Sequence, residues 1–372
     1  MQQQISVARL FDGNHWQQNV EVTFEHGRIK QIAPAAPESV RQGSLVPGFI
    51  DVQVNGGGGA LFNTTPTLAT LRTMVKAHAQ FGSTALLPTV ITDSVAVMQQ
   101  AADVIAQALA QAEPGILGVH FEGPHLSVPK KGVHPERFIR ELSAEEMAIY
   151  QRTDLGVKMI TIAPETISPE QIKQLVEANV VVCLGHSNAD GATVEAAIAA
   201  GATGFTHLYN AMSPLTSREP GMVGVALADP STWCGIILDG YHVHPTAAKL
   251  ALASKPTGKV LIVTDAMSPV GTDATEFDFF EGKVTRQGNK LTAETGQLAG
   301  SVLDMIGAVT YAKTILQVEE AEALRMASLY PAQFLGIATE RGQLSVGSQA
   351  DFVLLDQQDQ VVQCWLAGQP FI

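Results

Sequence analysis

Eight short strand-like runs recur along the chain, at residues 48–56, 84–91, 116–122, 157–164, 180–186, 203–207, 233–239 and 260–265, most of them largely apolar. Between most of them lie Ala-rich stretches with helical spacing, such as residues 67–81, 94–112, 169–178 and 190–200. A run of this length that is apolar throughout, rather than at alternate positions, reads as a strand buried on both faces. Alternating strand and helix signals imply a parallel sheet, and eight such units suit a closed barrel. A doubly wound open sheet fits less well. The Gly56–Gly59 run follows the first strand but lacks the G-x-G-x-x-G spacing, and no acidic residue is placed for a ribose. The expected class is α/β, a (β/α)8 TIM-type barrel.

The ends of the chain follow another rule. Residues 3–10, 19–25 and 28–33 alternate like short antiparallel strands, with Asp12-Gly13 and His26-Gly27 as turn signals, and residues 343–372 resume the pattern. Residues 276–292 read as a hairpin turning near Gln287-Gly288. These features predict a small β-sandwich domain formed from both chain termini (1–46 and 340–372, with the hairpin as an insertion) beside a barrel spanning 47–339.

A formal net charge of −13 argues against nucleic acid or an anionic membrane as partner. An anionic substrate would need a local cluster of positive groups. Cys183, Cys234 and Cys364 are too few and too scattered for a disulfide framework or a Cys-type zinc site. The first residues show no basic region leading into an apolar stretch, and no apolar run approaches the length of a membrane span, so the expectation is a cytoplasmic protein.

Four of the apolar runs end on a group that binds metals or moves protons: Glu122, His186, His207 and Asp265. Active sites of (β/α)8 barrels lie at the carboxyl ends of the strands. Two His and one Glu are a common ligand set for catalytic zinc, which keeps a position open for water. Any one of these residues alone reads as a satisfied polar group at a strand end. Together they point to a metal-assisted hydrolase. A bound divalent ion lowers the pKa of its water from about 15.7 to near 7, which makes hydroxide available at neutral pH.

Several stretches then become specific in order: Pro47-Gly-Phe-Ile-Asp-Val-Gln-Val-Asn-Gly56, His120-Phe-Glu-Gly-Pro124, Gly185-His-Ser-Asn188, Thr206-His-Leu-Tyr-Asn-Ala-Met212, Asp239-Gly-Tyr-His242 and Val263-Thr-Asp-Ala266. Together they resemble the N-acetylglucosamine-6-phosphate deacetylases of the amidohydrolase superfamily. The resemblance implies hydrolysis of N-acetyl-D-glucosamine 6-phosphate to D-glucosamine 6-phosphate and acetate, in amino-sugar catabolism. It implies that Glu122, His186 and His207 hold one divalent ion, zinc first, with iron, cobalt, nickel and manganese as alternatives. It makes Asp265 the general acid/base and His134 the donor to the carbonyl oxygen. Substrate contacts carried over are Val133, His134, Asn210, Ala211, Arg218, Asp239, His242, Leu298, Ala299 and Gly300, with Arg218 reaching the neighbouring active site of a homodimer or homotetramer. Many amidohydrolases carry His-x-His after the first strand for a second metal. Gln53 and Asn55 stand there instead, so no second metal is expected. His120 and His125 flank Glu122 without being ligands, His120 turned to the opposite side of its strand; His15, His26 and His78 are read as solvated. The alternatives are another amidohydrolase, acting on a cyclic amide or an N-acyl amino acid, and a non-catalytic barrel scaffold.

Overall fold

The computed structural model describes residues 2–280 and 282–371. Its centre is an eight-stranded parallel sheet in which every strand pairs with its neighbour in sequence: β1 (Phe49–Val54), β2 (Ser83–Ile91), β3 (Gly118–Glu122), β4 (Val157–Ile162), β5 (Val180–Leu184), β6 (Gly204–Phe205), β7 (Trp233–Ile236) and β8 (Val260–Ile262). Parallel pairing continues between the ends of β8 and β1, where Val54 bridges Ala266 and the Asp265 N–H donates to the Gln53 carbonyl at 3.0 Å. That contact closes the barrel.

Helices between the strands start where the sequence supplies a cap. Thr67 and Ser94 accept from Thr70 and Val97 backbone N–H groups, Asp190 accepts from Thr193, and Ser168 forms a capping box with Gln171. Lys158, at the entrance of β4, donates to the carbonyls of Tyr150, Arg152 and Ala178, far from the strand's exit. It pins loops. No helix among the described residues is long and apolar enough to cross a membrane.

The terminal segments build a seven-stranded sheet, in the order Gln369–Pro370, Val361–Leu366, Phe352–Leu355, Arg41–Pro47, Gln3–Phe11, Trp16–Glu25 and Arg28–Pro34. All its pairings are antiparallel except that of Gln3–Phe11 with Arg41–Pro47. A separate core that includes Val7, Leu10, Val22, Phe24, Leu45, Phe352 and Trp365 holds these strands together. Residues Glu276–Phe279, Gly282–Gln287 and Lys290–Ala293 form a three-stranded sheet of their own, with no ladder to the terminal strands. The expected hairpin is thus one half of a meander, and it projects over the barrel mouth, where Phe279 reaches the cavity described next.

Candidate active site

At the carboxyl end of the barrel a cavity of about 410 Å³ gathers Glu122, His134, His186, His207 and Asp265. The chain reaches this geometry by leaving the strand ladder at the residue that matters. His186, His207 and Asp265 have φ of 47°, 35° and 52°, in the left-handed region that non-glycine residues seldom occupy. Such backbone persists only where the surroundings impose it, and it clusters at functional sites. Here the surroundings are explicit for Asp265. Its N–H is tied to Gln53, its carbonyl accepts from Ser301 N at 2.9 Å, and Ser301 Oγ holds the preceding Thr264 carbonyl at 2.6 Å. The segment that supplies Ser301 can lie so close because residue 300 is glycine. A Cβ there would sit 2.5 Å from Met267 Cγ and 2.8 Å from the Asp265 carbonyl oxygen.

Glu122, His186 and His207 are buried, and one ligand atom from each lies within 4.8 Å of the others. His207 Nε2 is 3.1 Å from Glu122 Oε1 and 3.0 Å from His186 Nε2. Two imidazole nitrogens facing each other and a carboxylate, away from water, suit a cation between them. His186 Nδ1 faces the Lys130 carbonyl at 2.9 Å. A carbonyl can only accept, so Nδ1 carries the hydrogen, and once the ring is neutral Nε2 has its lone pair free for a cation. His207 Nδ1 is buried without a partner among the described residues. Burial pushes the Glu122 carboxyl up, but hydrogen bonds with His186 and His207 outweigh it and hold the group well below the usual carboxylate range. Asp265 moves the other way, to about 6, through burial first and the Glu122 charge second.

His134 is buried beside His186, with ring centroids 4.4 Å apart, and its Nδ1 lies 2.8 Å from Thr92 Oγ1. Burial and the charge of His186 push His134 down to about 3, so the ring is neutral. Asn210, Ala211, Val133, Leu298, Gly300 and His242 line the same cavity. Asp239 stands behind His242, accepting from its Nδ1 at 2.6 Å. Ala299 is fully buried and Arg218 is exposed, and neither lines the cavity of its own chain. A somewhat larger cavity, about 490 Å³, lies behind Asp239 and holds none of the clustered His or Glu residues.

Two histidine readings need correction. His120 does not turn to the opposite side. Residues 120 and 122 are two apart on one strand and share a face. His120 lies beneath the cluster in a buried polar layer, 2.7 Å from Thr161 Oγ1 and 3.3 Å from Thr89 Oγ1, while Thr161 also bonds Thr206. His78 is not solvated but fully buried, 2.8 Å from the Gly56 carbonyl. Its helix offered the signal, because Leu71, Met74, Val75 and His78 fall at i, i+3, i+4 and i+7. His125 sits between the Arg140 carbonyl and the Tyr150 hydroxyl and does not line the cavity. Sequence reasoning also missed Asp51, which accepts from Gln53 N–H and from the N–H and hydroxyl of Thr264.

Comparison with known proteins places these observations. The model of the amidohydrolase family matches residues 44–370. The chain is 57% identical to an N-acetylgalactosamine-6-phosphate deacetylase of Shewanella sp. (strain ANA-3), over 88% of this chain and 83% of that one. Among solved structures it is similar to N-acetylglucosamine-6-phosphate deacetylase from Pasteurella multocida, with a TM-score of 0.95 and 34% identity over 100% of this chain and 99% of that one. It is also similar to an aspartate-to-alanine mutant of the Mycobacterium smegmatis N-acetyl-D-glucosamine-6-phosphate deacetylase in complex with N-acetyl-D-glucosamine-6-phosphate. There the TM-score is 0.91 and the identity 28%, over 100% of this chain and 99% of that one.

Proposed function

The chain belongs to the amidohydrolase family, and from that premise we propose that it hydrolyses N-acetyl-D-glucosamine 6-phosphate to D-glucosamine 6-phosphate and acetate. The observation that carries this reading is the convergence of Glu122, His186, His207 and Asp265 in one buried cavity. A single divalent ion fits the carboxylate and two imidazoles and, when bound, supplies Lewis-acid activation of water and of the acetyl carbonyl. Zinc is the first choice, ahead of iron, cobalt, nickel and manganese. Gln53 and Asn55 offer amides where a second metal would need imidazoles, so the centre is mononuclear.

The remaining work falls to side chains of this protein. Asp265, ionised, takes a proton from the attacking water and then delivers it to the departing sugar nitrogen, so that an amine rather than an amide anion leaves. His134 donates to the carbonyl oxygen as charge develops there. This role needs the tautomer with hydrogen on Nε2, in which the Thr92 hydroxyl donates to Nδ1. That is the shorter of two Thr92 contacts, the other being 3.3 Å to the Glu122 carbonyl. At the far end His242, oriented by Asp239, joins Asn210 and the Ala211 backbone to hold the 6-phosphate. Val133, Leu298, Ala299 and Gly300 border the sugar. Arg218 is exposed in its own chain, which supports a place for it in the active site of a neighbouring subunit within a homodimer or homotetramer. The catalytic unit is the barrel, 47–339, with 1–46 and 340–372 as the accessory domain, and the working compartment is the cytoplasm.

The Shewanella relative supports a second reading, the C4 epimer N-acetyl-D-galactosamine 6-phosphate. Acetate release measured on both phosphorylated epimers and on unphosphorylated N-acetylglucosamine, with and without added divalent ions, tests the reading. Fast metal-dependent release from the phosphosugars is expected, and the faster epimer names the substrate. No release from either phosphosugar would overturn the proposal.

A further inference from the structure

The first barrel strand carries a polar stripe on its inward face, and each member meets a different part of the machinery. Residues 51, 53 and 55 share a face because strand side chains alternate. Asp51 accepts from Thr264, the residue before Asp265. Gln53 Nε2 donates to Glu122 Oε1 at 3.0 Å. Asn55 Nδ2 donates to Asp265 Oδ1 at 2.6 Å. No other hydrogen bond to the Asp265 carboxylate is made among the described residues. Gln53 and Asn55 are 1% and 4% exposed, so these donors do not trade places with water.

We propose that Asn55 is a positioning residue for Asp265, fixing the carboxylate plane and assigning the proton to one oxygen. This inference rests on the deacetylase reading above. The chemistry is that of a donor that cannot be an acceptor at the same atom. An amide N–H pointed at Oδ1 is favourable only while Oδ1 keeps its electron density, so a proton taken from water settles on Oδ2. The same Oδ2 then carries it to the leaving nitrogen. Without the amide the carboxyl can rotate about its Cβ–Cγ bond and present either oxygen, and each turnover must then recover the productive arrangement. Gln53 does the corresponding work on the ligand Glu122. The pair thus stands where two-metal relatives carry His-x-His, as two neutral donors to the Glu122 and Asp265 carboxylates.

The test is a double-mutant cycle of Asn55→Ala and Asp265→Asn, with single-turnover kinetics where turnover is slow. A misplaced catalytic group costs up to about a hundredfold. Asn55→Ala is therefore expected to lower kcat by roughly 10- to 100-fold, with KM and bound divalent ion within about threefold of the parent. In the Asp265→Asn background the same change should alter kcat by less than about threefold, since the group it positions no longer moves protons. Equal losses in both backgrounds, or lost metal, would overturn the positioning role. An unimpaired Asp265→Asn would remove Asp265 from the proton path and the positioning role with it, whereas an inactive parent would instead overturn the deacetylase reading beneath it. Thermal unfolding checks that N55A folds, and Asn55→Ser serves the same cycle if it does not.

Discussion

Replacing Asp265 by Asn tests the chemistry most directly, because the structure dictates how the new amide would sit. Asn55 Nδ2 is a donor 2.6 Å from Oδ1 of Asp265. The substituted amide keeps that contact only by turning its own oxygen toward Asn55, which puts its NH2 where Oδ2 was. The group facing the reaction is then a donor that can neither accept a proton from water nor release one to nitrogen. Shape and volume barely change, and the ties from Gln53 and Ser301 are to the backbone. Fold, metal content and KM should therefore survive. Acid–base assistance contributes roughly 10² to 10⁴ in rate, and one carboxyl here serves both proton transfers, so the loss should lie near the upper end. That is about 10⁴-fold in kcat, or about 5 kcal/mol of barrier. The assay is coupled acetate detection with metal content measured on the same sample. A variant within about tenfold of the parent, with metal intact, would remove Asp265 from the proton path.

Three further outcomes follow from the same geometry. Glu122→Gln replaces the only anionic ligand with a neutral amide, and the divalent content after dialysis should fall well below one equivalent; a full equivalent retained would contradict the ligand assignment. Arg218→Ala should raise KM for the phosphosugar about 10-fold or more, consistent with loss of a charge-assisted hydrogen bond, and leave the unphosphorylated sugar unaffected. If the arginine acts across subunits, co-expressing Arg218→Ala with Asp265→Asn should restore a fraction of sites, and no restoration would place it in its own subunit's site or in none. Asp51 titrates near 7 when folded, through burial above all, against an ordinary value of 3.8. The native state therefore holds the extra proton between about 4 and 7, and the stability this group contributes is full below that window and lost as pH rises through it, by about 4 kcal/mol. Asp51→Asn lacks that slope, so its Tm should gain on the parent's between pH 5 and 8; parallel curves would show that Asp51 stays ionised when buried.

The barrel was legible because two-sided burial writes itself as short runs rich in apolar residues, and all eight strands were visible. Their carboxyl ends were not. Residues 203–207 and 260–265 read as strand, whereas the ladders stop at Phe205 and Ile262. Periodicity reports which face is buried, not where the backbone turns, and the left-handed φ of Asp265 is held by hydrogen bonds to residues far away in sequence. The terminal strands were readable as alternating segments, but the meander at 276–293 was not assignable to a sheet. Half-exposed alternating strands carry no mark of which edge they join.

The functional side chains divide along the same line. Residue types announced themselves, because a Glu, two His and an Asp closing apolar runs of one barrel read as a ligand set with a proton carrier beside it. What orients them is contributed by groups with no signature of their own. The Lys130 carbonyl that selects the His186 tautomer is a backbone atom in a loop 56 residues away. Gln53 and Asn55 could be recognised as missing imidazoles, yet their partners, Glu122 and Asp265, lie 69 and 210 residues along the chain. Only barrel closure brings β1 and β8 side by side and sets the Asn55 amide against the Asp265 carboxylate. The sequence of a strand thus states which atoms are available, and the topology decides which of them have a catalytic carboxylate to hold.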